Sequence, residues 1–111
     1  MPRITLIQLI DYRKWTEEIG FDREGIIQLK QSMIYQKIQS IFWEKDCFTL
    51  PIRRDYYIVL SNGVKREDLK EVAKELDQIT PYGVRVVSII HEYPVTALLK
   101  ASTIIREHRF Y

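Results

Sequence analysis

Arg53, Arg54 and Asp55, followed by Tyr56 and Tyr57, set one carboxylate between two guanidinium groups and two phenols. β-prone residues flank this triplet, Leu50-Pro51-Ile52 before it and Tyr56 to Leu60 after it, so it is predicted to form the tip of a hairpin. A lone carboxylate among cations and tyrosines at such a tip is a place where chemistry could sit. A solvated turn that merely avoids apolar residues would use the same residue types. The second candidate is Asp11-Tyr12-Arg13-Lys14-Trp15, where Arg13 and Lys14 beside an indole could clamp and stack a nucleotide. A charged loop with one aromatic anchor is the commoner use of such a stretch. His91 alternates in register on an apolar run and reads as structural or surface before it reads as a site residue, and His108, between Arg106 and Arg109, reads as a solvated helix end. Cys47 opens an apolar strand with no histidine beside it, which favours a buried small hydrophobe over a nucleophile. The chain carries no Walker loop, dinucleotide fingerprint, zinc spacing or assembled Ser-His-Asp set.

The elements that must position these groups follow from periodicity. Ile4 to Ile10 is a nearly continuous β-prone run, the mark of a central strand. Asp11 to Trp15 ends it, and residues 16–24, with Gly20 and no clear period, read as a loop. Ile27, Ile34, Ile38 and Ile41, joined by Met33 and Phe42, predict a long helix from Ile26 to about Trp43, closed by Glu44-Lys45-Asp46. Cys47 to Ile52 is a second strand, and Pro51, which lacks a backbone donor, assigns it to a sheet edge. Tyr56 to Leu60 is a third strand ending at Ser61-Asn62-Gly63. Tyr56 and Tyr57 point to opposite faces, so one should pack and the other could stay exposed. Leu69, Val72, Ala73, Leu76 and Ile79 make one stripe of a helix whose other face is charged, broken at Thr80-Pro81-Tyr82-Gly83. Val84 to His91 is the fourth strand, and Pro94 starts a last helix through Leu98, Leu99 and Ile105.

This order is the split βαβ pattern, an α+β, ferredoxin-like or palm fold (βαββαβ) with one helix appended. Right-handed crossovers give the strand order four, one, three, two, with Pro51 on an edge. The same topology sends Asp11 and the hairpin tip to one end of the sheet, so Asp11 and Asp55 are expected to be neighbours.

Composition bounds the alternatives. With 111 residues, 46% hydrophobic and 29% charged, residues 1–111 are read as a single domain with a real core. One cysteine excludes an internal disulfide and makes a cytoplasmic location the default. The apolar runs are too short to span a membrane. A net charge of +2 without a basic cluster makes nucleic acid an unlikely partner. Many charges, frequent isoleucine and short loops resemble thermophile usage.

The chain resembles the first half of archaeal GTP cyclohydrolase III, a family of two tandem palm domains related to nucleotidyl and diguanylate cyclases. The resemblance is carried by Ile4-Thr5-Leu6-Ile7-Gln8 with Tyr12 and Trp15-Thr16, by Gln31-Ser32 with Tyr35 and Phe42, by Arg53-Arg54-Asp55 with Asn62-Gly63, and by Pro81-Tyr82 with Glu92, Pro94 and Ala97. The resemblance extends to no counterpart of the family's second palm domain in these residues. The resemblance implies a guanine nucleotide ligand whose imidazole ring is opened with Mg²⁺ assistance, leaving a formylamino pyrimidine and releasing pyrophosphate. It implies Asp55 as catalytic residue and metal ligand, with Asp11 as second ligand, since hard oxygens suit such ions. It makes Arg53 a phosphate contact, because a planar guanidinium binds phosphate in a bidentate way, and adds Arg54, Tyr12, Arg13 and Tyr56 as substrate contacts. A standalone copy of a tandem-domain protein implies a homodimer or higher homo-oligomer.

The chain also departs from the family pattern. Ile10 falls where the first-strand aspartate is expected, with Asp11 one residue later, and a one-residue shift in a strand reverses the face of a side chain. Tyr56 stands where the family has an amide side chain, and a Gly-Gly-Asp hairpin is absent. The domain is therefore read as one that could have kept the fold and lost part of the site. Two other classes compete: a non-enzymatic module using Tyr56 or Tyr57 for RNA or a small molecule, and a small ferredoxin-like metal-dependent nuclease using Asp11.

Overall fold

The computed structural model describes residues 3–20, 22–43, 47–53 and 55–111. Arg54, one of the expected substrate contacts, and Glu44-Lys45-Asp46, expected to close the long helix, lie outside the described residues. The chain runs β1 (Arg3–Leu9), α1 (Tyr12–Glu17), α2 (Arg23–Ile41), β2 (Phe48–Arg53), β3 (Tyr56–Ser61), α3 (Arg66–Ile79), β4 (Val84–Ile90) and α4 (Pro94–Ile104). The four strands form one antiparallel sheet in the order β2-β3-β1-β4, which is the expected order with Pro51 on the edge strand. The fold is α+β of the palm, ferredoxin-like type.

β1 is the centre because its residues are apolar on both faces. Ile7 and Leu9 join Tyr57, Val59, Val84 and Val86 beneath α2 and α3, while Leu6 joins Val87 beneath α4. Period-two alternation explains why Tyr56 and Tyr57 part company: Tyr57 is buried under α2, and Tyr56 is half-buried on the α4 side. α2 inserts Ile34 and Ile38 into the larger core, with Phe42 just past its end, and α3 adds Leu69, Val72 and Leu76. Each such side chain contributes roughly 1.5–3 kcal/mol of transfer free energy. Met33, read as part of the α2 stripe, is exposed instead, because it falls one position off the Ile27-Ile34-Ile38 line.

The reading of residues 16–24 as a loop is partly overturned. Tyr12 to Glu17 is a short helix, and α2 begins three residues earlier than expected, at Arg23. The signal is slight because α1 has under two turns, too few for a period. Trp15 and Thr16 are buried, and Arg13 Nε pairs with Glu17 Oε1 at 3.1 Å one turn on. Asp11 makes the sharp entry possible in a left-handed conformation (φ 52°, ψ 40°) that aspartate tolerates better than most residues.

α3 starts where Asp68 Oδ2 accepts the backbone N–H of Lys65 at 2.9 Å, and α4 starts on Pro94, as expected for a residue with no N–H to satisfy. The C-terminal residues seal the β4 edge: the Val86 N–H donates to Arg109 O and the Tyr111 N–H to Val86 O, both at 2.9 Å. Arg109 also lies 3.6 Å from Asp77, whose Oδ1 accepts the Val84 N–H at 2.8 Å. Ile38 is fully buried at the centre of the larger core. Truncation to Ile38→Ala is expected to lower unfolding free energy by about 2–5 kcal/mol, read as a shift of the urea midpoint at unchanged slope.

Candidate functional site

The C-terminal end of β1 gathers the chain's chemistry through its backbone. The Leu9 N–H donates to the carbonyl of Asp55 at 2.9 Å, which ties the hairpin tip to the end of the central strand. On the other side the Ile10 N–H donates to Gly83 O at 3.0 Å. The pairing of Gln8 with Tyr56 and of Leu9 with Val84 thus ends with Asp55, Ile10, Asp11 and the Tyr82-Gly83 turn at one edge of the fold.

The two aspartates reach this edge in different ways. Asp11 is exposed at the entry to α1, where its backbone carbonyl accepts the Trp15 N–H at 2.9 Å. Its charge acts on Tyr82, whose hydroxyl pKa is raised first by the hydrogen bond it donates to Glu18, then by desolvation and by the charges of Glu18 and Asp11. Lys14 lies 5.0 Å above the Tyr82 ring, so α1 is pinned to the start of β4. Asp55 is half-buried on the β3 side and acts on Tyr57. Among the described residues no three His, Cys, Asp or Glu side chains group closely enough to hold an ion.

Between α2 and the hairpin lies a groove of about 540 Å³, within the roughly 300–1,000 Å³ of ordinary ligand clefts. Gln28, Gln31, Ser32 and Tyr35 form one wall, at the i, i+3, i+4, i+7 spacing that shares one helix face. Pro51, Ile52 and Arg53 of β2 and Tyr57 of β3 form the other. The α2 wall carries amides, a hydroxyl and a phenol and no charge; the charge comes from Arg53 on the hairpin wall. Gln31 Nε2 donates to the Tyr12 hydroxyl at 3.1 Å, and Gln39 Nε2 to the Tyr35 hydroxyl at 3.0 Å, so both groove residues are held by second hydrogen bonds.

The expected site residues are thereby distributed. Arg53 lines the groove, and Asp55 adjoins it through Tyr57. Tyr12 reaches it through Gln31 and stands edge-on to Trp15 with ring centres 5.4 Å apart. Arg13 is exposed and paired with Glu17. Tyr56 lies on the other sheet face, in a second cleft with Leu98, Ser102 and Arg106, which Arg53 also lines. His91 serves the turn into α4, its Nδ1 accepting the Tyr93 N–H at 3.0 Å, and His108 lies exposed beside Tyr111. Cys47 is half-buried against the larger core. Gln28, Gln31, Ser32 and Tyr35 were given no site role by the sequence, although Gln31-Ser32 with Tyr35 are among the stretches that carry the family resemblance.

The architecture defines a class, the palm-type α+β domain. The GGEEF domain of a diguanylate cyclase from Vibrio cholerae superposes on 98% of this chain and 80% of its own length with a TM-score of 0.69 at 9% identity. The GGDEF domain of FimX from Pseudomonas aeruginosa superposes on 97% of this chain and 74% of its own length with a TM-score of 0.74 at 12% identity. At such identities the likeness is one of fold alone. Residues 1–110 match the model of GTP cyclohydrolase III, and the chain belongs to that family. A GTP cyclohydrolase III from Saccharolobus islandicus is 30% identical over 100 residues, 90% of this chain and 44% of the relative. One from Aeropyrum pernix is 33% identical over 104 residues, 94% of this chain and 43% of the relative. The chain thus spans less than half the length of these curated relatives.

Burial pushes the Tyr57 hydroxyl up to about 12, with smaller contributions from Tyr12 and from the Asp55 charge. A raised folded-state value means that the folded protein holds this proton more tightly than the unfolded chain. The associated stability is complete below pH 10 and is lost as pH rises towards 12. Chemical denaturation between pH 9 and 12 is expected to show this alkaline loss, and Tyr57→Phe to flatten it.

Proposed function

We propose that this chain binds a guanine nucleotide, taking GTP with Mg²⁺ in the groove between α2 and the β2-β3 hairpin, and that ring-opening turnover depends on Asp55. The observation that carries this reading is the division of labour across one groove. The α2 wall offers neutral hydrogen-bonding groups beside a phenol, which suit the edge and face of a purine. The hairpin wall ends in Arg53 and then Asp55, which suit a phosphate chain and its counterion. Family membership supports GTP in particular, through relatives named GTP cyclohydrolase III.

Each residue then has a physical role. Tyr35, steadied by Gln39, offers a ring for the base, while Gln31, steadied by Tyr12, and Gln28 and Ser32 offer donors and acceptors to its polar edge. Arg53 receives phosphate oxygens. For Mg²⁺ this reading draws on Asp55 at the hairpin tip and Asp11 just past the end of β1, since among the described residues no three acids group closely enough to hold an ion by themselves. Mg²⁺ is commonly bound by one or two carboxylates together with phosphates and waters, so nucleotide and ion are expected to bind together. When bound, the ion offsets phosphate charge and makes water a better nucleophile. Asp55 and Asp11 would hold the ion, Arg53 would orient the phosphates, and Tyr57 would close the hairpin side of the groove. The same reading places this palm domain in the cytoplasm and in a homo-oligomer.

The non-enzymatic RNA reading loses its platform, because Tyr57 is buried under α2 and Tyr56 packs against the α4 cluster. Among the described residues no helix is long and apolar enough to cross a membrane. Thermal unfolding with millimolar nucleotide tests the proposal. GTP with Mg²⁺ is expected to raise Tm by several degrees, a rise that EDTA reverses and that Mg²⁺ alone does not produce. Asp55→Ala is expected to remove the ion-dependent part and Arg53→Ala to weaken nucleotide binding about tenfold. Release of pyrophosphate and a formylamino pyrimidine by the wild type, lowered at least a hundredfold in Asp55→Asn, checks turnover. An unchanged Tm with GTP and Mg²⁺ at millimolar concentration overturns the assignment.

A further inference from the structure

In sequence α3 is balanced in charge, because Arg66, Lys70 and Lys74 interleave with Glu67, Glu71 and Glu75. Successive residues on a helix stand about 100° apart, so each series, repeating every four, winds into its own row. Glu71 and Glu75, with Asp68, line a groove toward the end of α2. Lys70 and Lys74 line a different groove, of about 550 Å³, on the side where residues 109–111 run along β4. Its apolar lining is Ala73, Val84 and Phe110, and Arg109 faces the lysines from the 109–111 segment. Arg66, one turn before Lys70, stands at its end with the guanidinium 5.2 Å from the centre of the Phe110 ring. Four cations thus gather around one carboxylate, Asp77, whose Oδ1 accepts the Val84 N–H at 2.8 Å and lies 3.6 Å from Arg109. That excess of three positive charges is larger than the +2 of the whole chain, so the remainder of the molecule is net negative. Among the described residues Arg66, Lys70 and Lys74 make no ion pair. Arg3 adds to the same field. Its guanidinium donates to two neutral acceptors, Val64 O and Ser88 Oγ, and its pKa is lowered by burial and then by the charge of Arg66.

We propose that this groove is a second ligand site, taking a linear chain of phosphate groups across Lys70, Lys74 and Arg109 with Arg66 at its end. It is independent of the nucleotide reading above and shares no residue with that groove. Like charges gathered on one face repel, and an anion that bridges them replaces repulsion by attraction. Residues four apart on a helix have Cβ atoms about 5–6 Å apart, so a single phosphate meets neighbouring cations, whereas a chain of phosphates follows the whole row. Guanidinium and ammonium groups are the usual partners of such oxygens. The aromatic group present is already used: Arg66 lies over Phe110, which packs against the larger core, so no ring is left for successive bases to stack on. That favours a phosphate chain over single-stranded nucleic acid. A bound chain also ties α3 to the 109–111 segment through Arg109, whose carbonyl accepts the Val86 N–H.

Calorimetric titration of the 111-residue chain with sodium tripolyphosphate, in EDTA at low ionic strength, tests the site. A Kd below about 1 mM that weakens as salt is added is expected, with slower amide exchange at Val86 and Tyr111, the two donors that hold the segment to β4. Replacing both exposed lysines, Lys70→Gln with Lys74→Gln, is expected to weaken binding at least tenfold with unchanged circular dichroism, whereas Arg53→Ala leaves it within about twofold. In the Arg53→Ala background, the binding that the lysine pair removes separates two sources of the chain. GTP tighter than tripolyphosphate makes it the phosphate chain of a nucleotide; otherwise it is a free polyphosphate. No binding at 10 mM tripolyphosphate, or binding that the lysine replacements leave unchanged, overturns the site. A single-stranded RNA oligomer that binds more tightly than tripolyphosphate through the same lysines overturns the ligand class. None of these results bears on the Mg²⁺-dependent shift in Tm with GTP, which is read without EDTA and tested at Arg53 and Asp55.

Discussion

Hydrogen bonding at the C-terminal end of β1 is the constraint on which the rest of the structure depends. A central strand must pair on both sides, and β1 does so with β3 and β4 along nearly its whole length. At its last residues the ladder is finished by the Asp55 carbonyl on one side and the Gly83 carbonyl on the other. Those two bonds bring the hairpin tip and the α3-β4 turn to the mouth of the same strand. Gly83 adopts φ +83°, and a Cβ there would strike Arg109 and Asp77. The turn and the C-terminal latch on the β4 edge are therefore built around the same missing side chain.

The groove follows from how the helices share the sheet. α3 packs on α2 and β4, and α4 on β1 and β4, so the side of the molecule that β2 and the tip of the hairpin occupy is the least covered. On the α2 side this leaves the groove whose helical wall is polar and uncharged; on the α4 side it leaves an apolar trough. Arg53 belongs to both, because the register shift between Pro51 and Arg53 turns the strand at that point. A single irregularity in the edge strand thus sets one cation between the two clefts.

Two features of the family pattern acquire a structural meaning. Ile10 follows the last paired residue of β1 and donates its N–H to Gly83, so its place is defined by the ladder. Asp11, one residue on, has already left the strand in a left-handed turn, so the rule that a one-residue shift reverses the face does not apply to it. Tyr56 belongs to the α4 side, where its half-burial beside Ile58 gives it a packing role that an amide would not fill.

Much of the architecture is written in local chemistry. The apolar run of β1, the missing donor of Pro51, the stripes of α2 and α3 and the proline that opens α4 are each sufficient to place an element, because each rests on a period or a backbone rule that acts over a few residues. Strand order follows from handedness once those elements are known. α1 was not legible, since six residues carry too little periodicity to separate helix from turn. Nor was the α2 wall of the groove: Gln31-Ser32 and Tyr35 match the family, but only the approach of β2 across from them and Gln28 makes a cleft. By itself the sequence determined the fold class, the edge position of β2 and the meeting of Asp55 with the end of β1. The tertiary structure alone decided which side chains share a groove, that Tyr12 acts on it through Gln31, and that Tyr56 faces away, because those depend on contacts between elements far apart in the chain.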